Sequence, residues 1–228
     1  MNPGLLLGGV GLAVALGLWT RRQGTVPWGL RLGLVVVLGA SEALELSWPA
    51  LTQSWSWSQS LPLQLSDAAC LVTIGALCLP GTRFPAQLAY CWGAWCGLLA
   101  LTFPAVGAGP ASPLYVAFFG QHIGLLAAAS ALAGGGKISL QRAALLRIWA
   151  ATCAMALLAG AADWLTGGDY MFLRLPPDTF SPLRLFGPWP WYLGVCALLS
   201  PVLLAAVALP IWRWRLQVPT QAQPAGMS

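Results

Sequence analysis

The chain has 228 residues, 58% of them hydrophobic and 7% charged, with a mean hydropathy of +0.73. Such a composition excludes a water-soluble globular domain and points to an all-α membrane protein that crosses the bilayer several times. The net charge of +5 would suggest an anionic partner in a soluble protein, but in a polytopic chain the basic residues report topology first, and no nucleic-acid partner is expected.

Apolar stretches of about 20 residues, long enough to cross a bilayer, fall near 3–20, 27–50, 61–80, 85–103, 113–133, 143–164 and 189–210. They predict a seven-transmembrane helix bundle forming one domain over residues 1–215, followed by a polar, disordered tail at 216–228. The first stretch has no basic residues ahead of it and no A-x-A-like cleavage site, so it reads as a retained span rather than a signal peptide. Breaks such as "TRRQGTVPW", "PGTRFP", "GGGKISLQR" and "TGGDYMFLRLPPDTFSPLRLFGPWP" separate the spans.

Arg21, Arg22, Arg31, Arg83, Lys137, Arg142, Arg147, Arg213 and Arg215 fall at alternate span ends, with Arg174 and Arg184 on the other side. That pattern predicts an N-terminus outside, a C-terminus in the cytoplasm and a place in the cell (plasma) membrane. Tryptophans at span ends, among them Trp19, Trp48, Trp164 and Trp191, fit interfacial anchoring. Gly4, Gly8 and the small residues of "LLAGAAD" allow close helix approach. The six cysteines lie in apolar runs without a C-x-x-C pair, which argues against a disulfide framework or a zinc ribbon and for small buried apolar residues.

Three of the six acidic residues, Glu42, Glu45 and Asp67, fall inside expected spans, where an ionised side chain costs about 2.5–3.5 kcal/mol on translocon scales. Glu42 and Glu45 are three apart and share a helix face. His122, the one histidine, lies near the centre of the fifth span in "FFGQHIG". Together with Ser66, these residues predict a polar pocket in the outer half of the membrane, open toward the outside, with Gln64 and Gln121 adding neutral hydrogen-bonding groups. Asp163 lies near the outer end of the sixth span.

Ser66 and His122 have the chemistry of a nucleophile and its general base, and Asp67, Glu42 or Glu45 that of the carboxylate orienting the imidazole. Blander roles stay open: the glutamates as interfacial groups, Ser66 bonded back to its own helix, His122 as a satisfied core residue. A metal site is the weaker enzyme reading, because no ligand spacing such as H-x-x-x-H occurs, and neither a metal nor another cofactor is expected. A non-enzymatic protein that binds or transports a small solute or ion is the alternative to an enzyme. Membrane lipids are the expected partners, with a phospholipid as the substrate of the enzyme reading, and the oligomeric state is left open.

At "LPLQLSDAA", "FFGQHIG" and above all "GDYMFLRLPPDTFSPLRLFGPWPWYL", over about residues 25 to 210, the chain resembles the YwaF family of integral membrane proteins. More distantly it resembles a eukaryotic transmembrane acyltransferase that moves polyunsaturated acyl chains onto ether phospholipids through a cysteine and a histidine. More remote still are the androgen-induced threonine hydrolases of lipid esters. The resemblance puts Ser66 at the family's usual cysteine position in "LPLHLC" or "LPLQLC", and puts His122 at its histidine. Asp169 stands where the family's "NYMFL" has asparagine. The acyltransferase's cysteine aligns with either Ser66 or Leu63, and the second alignment leaves this chain without the nucleophile. The resemblance thus implies lipid acyl transfer or lipid ester hydrolysis, with the loop from Thr166 to Trp191, carrying Asp169 and Tyr170, as a lid over the pocket.

Overall fold

A computed structural model of the chain describes residues 3–136 and 138–216, the side chains of 213–216 excepted. Lys137, the Arg213 and Arg215 side chains and the expected tail beyond 216 lie outside the described residues. Those residues form seven long helices and no strand: α1 (Pro3–Gln23), α2 (Trp28–Leu51), α3 (Leu65–Cys78), α4 (Arg83–Thr102), α5 (Pro113–Gly134), α6 (Arg142–Thr166) and α7 (Trp191–Leu216). Short 3-10 turns at Tyr170–Phe172 and Pro182–Phe186 interrupt the connection from α6 to α7.

Local chemistry sets the helix ends. Ser112 caps α5 by accepting from Leu114 N at 3.3 Å, with Pro113 in the first turn, where its missing N–H costs nothing. Gly167 closes α6 at φ 73°, a left-handed C-cap that glycine adopts without strain. In α7, Pro201 cannot donate to Ala197 O, and the Ser200 hydroxyl donates there instead at 2.9 Å.

Four helices, Pro3–Gln23, Pro113–Gly134, Arg142–Thr166 and Trp191–Trp212, are long and apolar enough to cross a membrane. Large apolar side chains such as Leu157, Trp164, Leu165 and Leu198 stand exposed on the outer helices, a surface that lipid covers and water does not tolerate. α3 departs from the expected span: residues 61–64 are not helical, and its 14 residues reach only about 21 Å.

α5 is the central helix, with 67% of its apolar window buried against 17% in α6 and α7. It packs against α1, α2, α3 and α4, most closely on α1, α2 and α4, where a glycine on one helix leaves room for the other. A Cβ at Gly134 would overlap Gly17 O and the Thr20 hydroxyl of α1. A Cβ on Gly97 of α4 would stand 2.8 Å from His122 O, and one on Gly93 2.9 Å from Leu125 O. The expected close-approach glycine Gly8 instead faces open space, and Gly9, one position on, meets Ile123 and Leu101. Indole donors tie on the peripheral helices: Trp92 Nε1 donates to Thr152 Oγ1 at 2.9 Å, Trp149 Nε1 to Ser200 Oγ at 3.0 Å and Trp212 Nε1 to Leu140 O at 2.6 Å. All six cysteines are free; Cys70, Cys91 and Cys96 are buried as expected, whereas Cys78 is exposed at the end of α3.

Candidate functional site

The carboxylates of α2 and α3 converge. Glu42 is 5% exposed and accepts from Gln121 Nε2 of α5 at 2.6 Å. Asp67 is 7% exposed and lies near Glu42 and Glu45. The Cys70 thiol, one helical turn after Asp67 on the same face, lies between Leu38 O at 3.5 Å and the Glu42 carboxylate. Ser41 Oγ lies 2.7 Å from where a Cβ on Gly120 would be, so the absent side chain lets α2 and α5 approach at this level.

No arginine or lysine enters the cluster among the described side chains, and several of its polar atoms make no hydrogen bond there. Glu42 Oε1, Glu45 Oε1 and Gln121 Oε1 are buried without a partner. A buried carbonyl or carboxylate oxygen left in this way is costly.

Asp67 has a local role that its place in an apolar stretch concealed. Gln64 and Asp67 form a reciprocal capping box at the start of α3, in which Gln64 N donates to Asp67 Oδ2 at 2.9 Å. The polar residues of "LPLQLSDAAC" are therefore first a helix beginning. The spacing Gln64-x-x-Asp67 is the signal that could have placed it.

From this cap a chain of hydrogen bonds runs into the α6–α7 connection. Met171 N donates to Gln64 Oε1 at 2.8 Å, and Tyr170 N donates to Asp163 Oδ1 at 2.7 Å. The Tyr170 hydroxyl, from a side chain 2% exposed, donates to Trp57 O at 2.7 Å and accepts from Leu61 N at 3.0 Å. Tyr192 Oη holds Phe172 O at 2.7 Å from the start of α7. The connection is accordingly stapled across the start of α3 by main-chain and side-chain bonds together. Asp169 is spent on the connection itself, accepting from Arg174 N at 2.7 Å and from Leu175 N.

Ser66 and His122 make no hydrogen bond with each other here. Ser66 is half-buried in the first turn of α3, beside Asp67. His122 is 5% exposed in α5; its Nδ1 is 2.7 Å from Phe118 O, and its ring packs against Phe118 with centroids 4.3 Å apart. A carbonyl can only accept, so Nδ1 carries the proton in the neutral ring and Nε2 is left with a lone pair. Phe118 O thus does for this imidazole what a carboxylate was expected to do. The N–H groups of Leu65 and Ser66 precede the intrahelical ladder of α3 and form a donor pair at a positive dipole end. Among the described residues no group of three or more His, Cys, Asp and Glu side chains has the geometry to hold a metal ion.

Chemically, the arrangement offers an imidazole fixed through Nδ1, a hydroxyl at a helix N-terminus, and a carboxylate–amide cluster with unfilled acceptors. Sequence reasoning missed Cys70 beside Glu42 and the hydroxyl of Tyr170 as the staple. No curated protein and no solved structure matches the chain. A family model does match, across residues 5–210, and by that match this multi-pass membrane protein belongs to the TMEM164 family.

Proposed function

We propose that the protein acts on lipid esters, by acyl transfer or hydrolysis, between the start of α3 and the middle of α5. The observation that carries this reading is the His122 ring, whose bond to Phe118 O leaves Nε2 free to take a proton. In the proposed reaction Ser66 Oγ attacks the ester carbonyl while its proton passes to His122 Nε2. The Leu65 and Ser66 N–H groups receive the developing oxyanion. Collapse expels the alcohol, which takes the proton from His122, and leaves an acyl-serine; a second alcohol or water then removes the acyl group by the same steps in reverse. Access and the approach of Nε2 to Ser66 require the Tyr170 staple to open, as hydrogen bonds between catalytic groups often form only with substrate bound.

The likeness of "LPLQLSDAA" and "FFGQHIG" to the YwaF family, and more distantly to an ether-phospholipid acyltransferase, supports the same chemistry. In this reading all seven helices span the membrane as one domain, the N-terminus lies outside, the protein is in the plasma membrane and its substrate is a phospholipid. A fluorophosphonate probe applied to the full chain in lipid tests it. Labelling is expected in the wild type and lost in both Ser66→Ala and His122→Ala; a folded wild type that is not labelled removes the serine.

One observation favours a second reading, binding of a cationic solute. Glu42 Oε1 and Glu45 Oε1 are buried without hydrogen-bond partners, and a cation would satisfy both. Under that reading Glu42→Gln abolishes uptake or binding of the cation, and Ser66→Ala leaves it intact.

A further inference from the structure

At the end of the bundle opposite the carboxylates, a cavity of about 260 Å³ lies among the α1–α2 connection, the α3–α4 turn and the end of α5. Arg31 and Arg83 line it, with Gly81, Thr82 and Gly135 among its other walls. Arg31 is already oriented: its Nε donates to Val26 O at 2.8 Å, which leaves the two terminal nitrogens of the fork for another acceptor. Arg83 stands exposed at the mouth, where it meets an anion without first being desolvated.

The start of α4 contributes in the same sense. Thr82 occupies the N-cap position, but its hydroxyl donates back to Leu79 O at 2.9 Å and caps nothing. The first N–H groups of this 20-residue helix therefore have no side-chain acceptor from their cap residue. α3 and α5 end at the same rim, and the partial negative charge of their C-termini opposes that of the α4 start. Two full guanidinium charges, not the helix dipoles, fix the sign of the cavity.

No Asp or Glu side chain neutralises them. Of the six acidic residues, Glu42 and Glu45 lie in the second half of α2, Asp67 at the start of α3, Asp163 at the end of α6, and Asp169 and Asp178 in the α6–α7 connection, all toward the other end. An uncompensated pair of arginines at the starts of α2 and α4, beside an uncapped helix start, matches an anion with several oxygens on one centre.

We propose that this cavity binds a phosphoryl group, held by the terminal nitrogens of Arg31 and by Arg83, and presented by an anionic lipid headgroup or as free phosphate. The site is separate from the lipid-ester chemistry at the other end and stands or falls without it.

Calorimetric titration of the full chain in neutral detergent tests it, with dihexanoyl phosphatidic acid and inorganic phosphate as separate probes. Saturable binding is expected, weakened about tenfold or more by Arg83→Gln and by Arg31→Gln. Arg142→Gln, an exposed arginine at the same end that does not line this cavity, is expected to bind as the wild type does. Binding of the lipid alone identifies a headgroup, and equal binding of inorganic phosphate identifies the free ion. Arg83 is exposed, so its replacement leaves the fold intact. No saturable binding of either probe, an unchanged affinity in Arg83→Gln, or an equal loss in Arg142→Gln overturns the proposal.

Discussion

Glu42 shows how a single buried carboxylate can be tested for function apart from stability. Gln121 is fully buried, and its amide nitrogen is committed to Glu42 Oε2. Glu42→Ala strands that donor, and an unpaired buried polar group costs about 1–3 kcal/mol. Glu42→Gln keeps an acceptor for Gln121 Nε2 and adds a donor for the unpartnered Gln121 Oε1, so it is expected to be as stable as the wild type or more so. Thermal unfolding in detergent should place Glu42→Ala below the wild type and Glu42→Gln at or above it. A Glu42→Gln protein that unfolds as readily as Glu42→Ala would mean that the charge itself, and not the hydrogen bond, holds α2 to α5. Asp67 separates in the same manner. Asp67→Asn retains an oxygen for Gln64 N and Asp67→Ala does not, so the alanine variant alone should lose the roughly 0.5–1.5 kcal/mol of one hydrogen bond.

Among the elements, the α6–α7 connection is held across the start of α3, and Tyr170 is its anchor. Tyr170→Phe removes a donor from Trp57 O and an acceptor from Leu61 N while keeping the ring. Hydrogen exchange at Leu61 and across residues 168–175 should speed up about tenfold in that variant; unchanged protection would show that the connection is held elsewhere. The helices themselves were legible in the sequence to within a few residues, because lipid demands unbroken apolar runs and Gly, Pro and charge punctuate them. The start of α3 was not legible as an apolar run. Gln64 and Asp67 read as polar groups at depth, whereas they begin the helix as a capping box. The sequence grouped Glu42, Glu45, Asp67 and Gln121 in one pocket, and the structure bonds Gln121 to Glu42. Spacing could not say where the His122 ring points, since a side chain's partner depends on its rotamer, and Phe118, one turn earlier, supplies that partner.

Over the whole molecule the charges are sorted along the helix direction, Arg174 and Arg184 of the α6–α7 connection excepted. Arg31, Arg83, Arg142 and Arg147 stand at the end where α2, α4 and α6 begin, and every Asp and Glu lies toward the other. The ion pair described, Arg184 to Asp178 at 3.5 Å, joins two exposed side chains of the α6–α7 connection and contributes little to stability. Sorting of this kind orients a chain during insertion, because segments rich in Arg and Lys are retained on the cytoplasmic side. It follows that Gln141, exposed beside the arginines, and Asp178, exposed on the connection, should face opposite compartments. With Gln141→Cys and Asp178→Cys introduced singly and the unaltered chain as background, a membrane-impermeant maleimide should label Asp178→Cys in intact cells. Gln141→Cys should be labelled only after permeabilisation. The reverse pattern would turn the carboxylate cluster and its staple toward the cytoplasm and the Arg31–Arg83 cavity toward the exterior, so that a lipid substrate would have to be drawn from the inner leaflet.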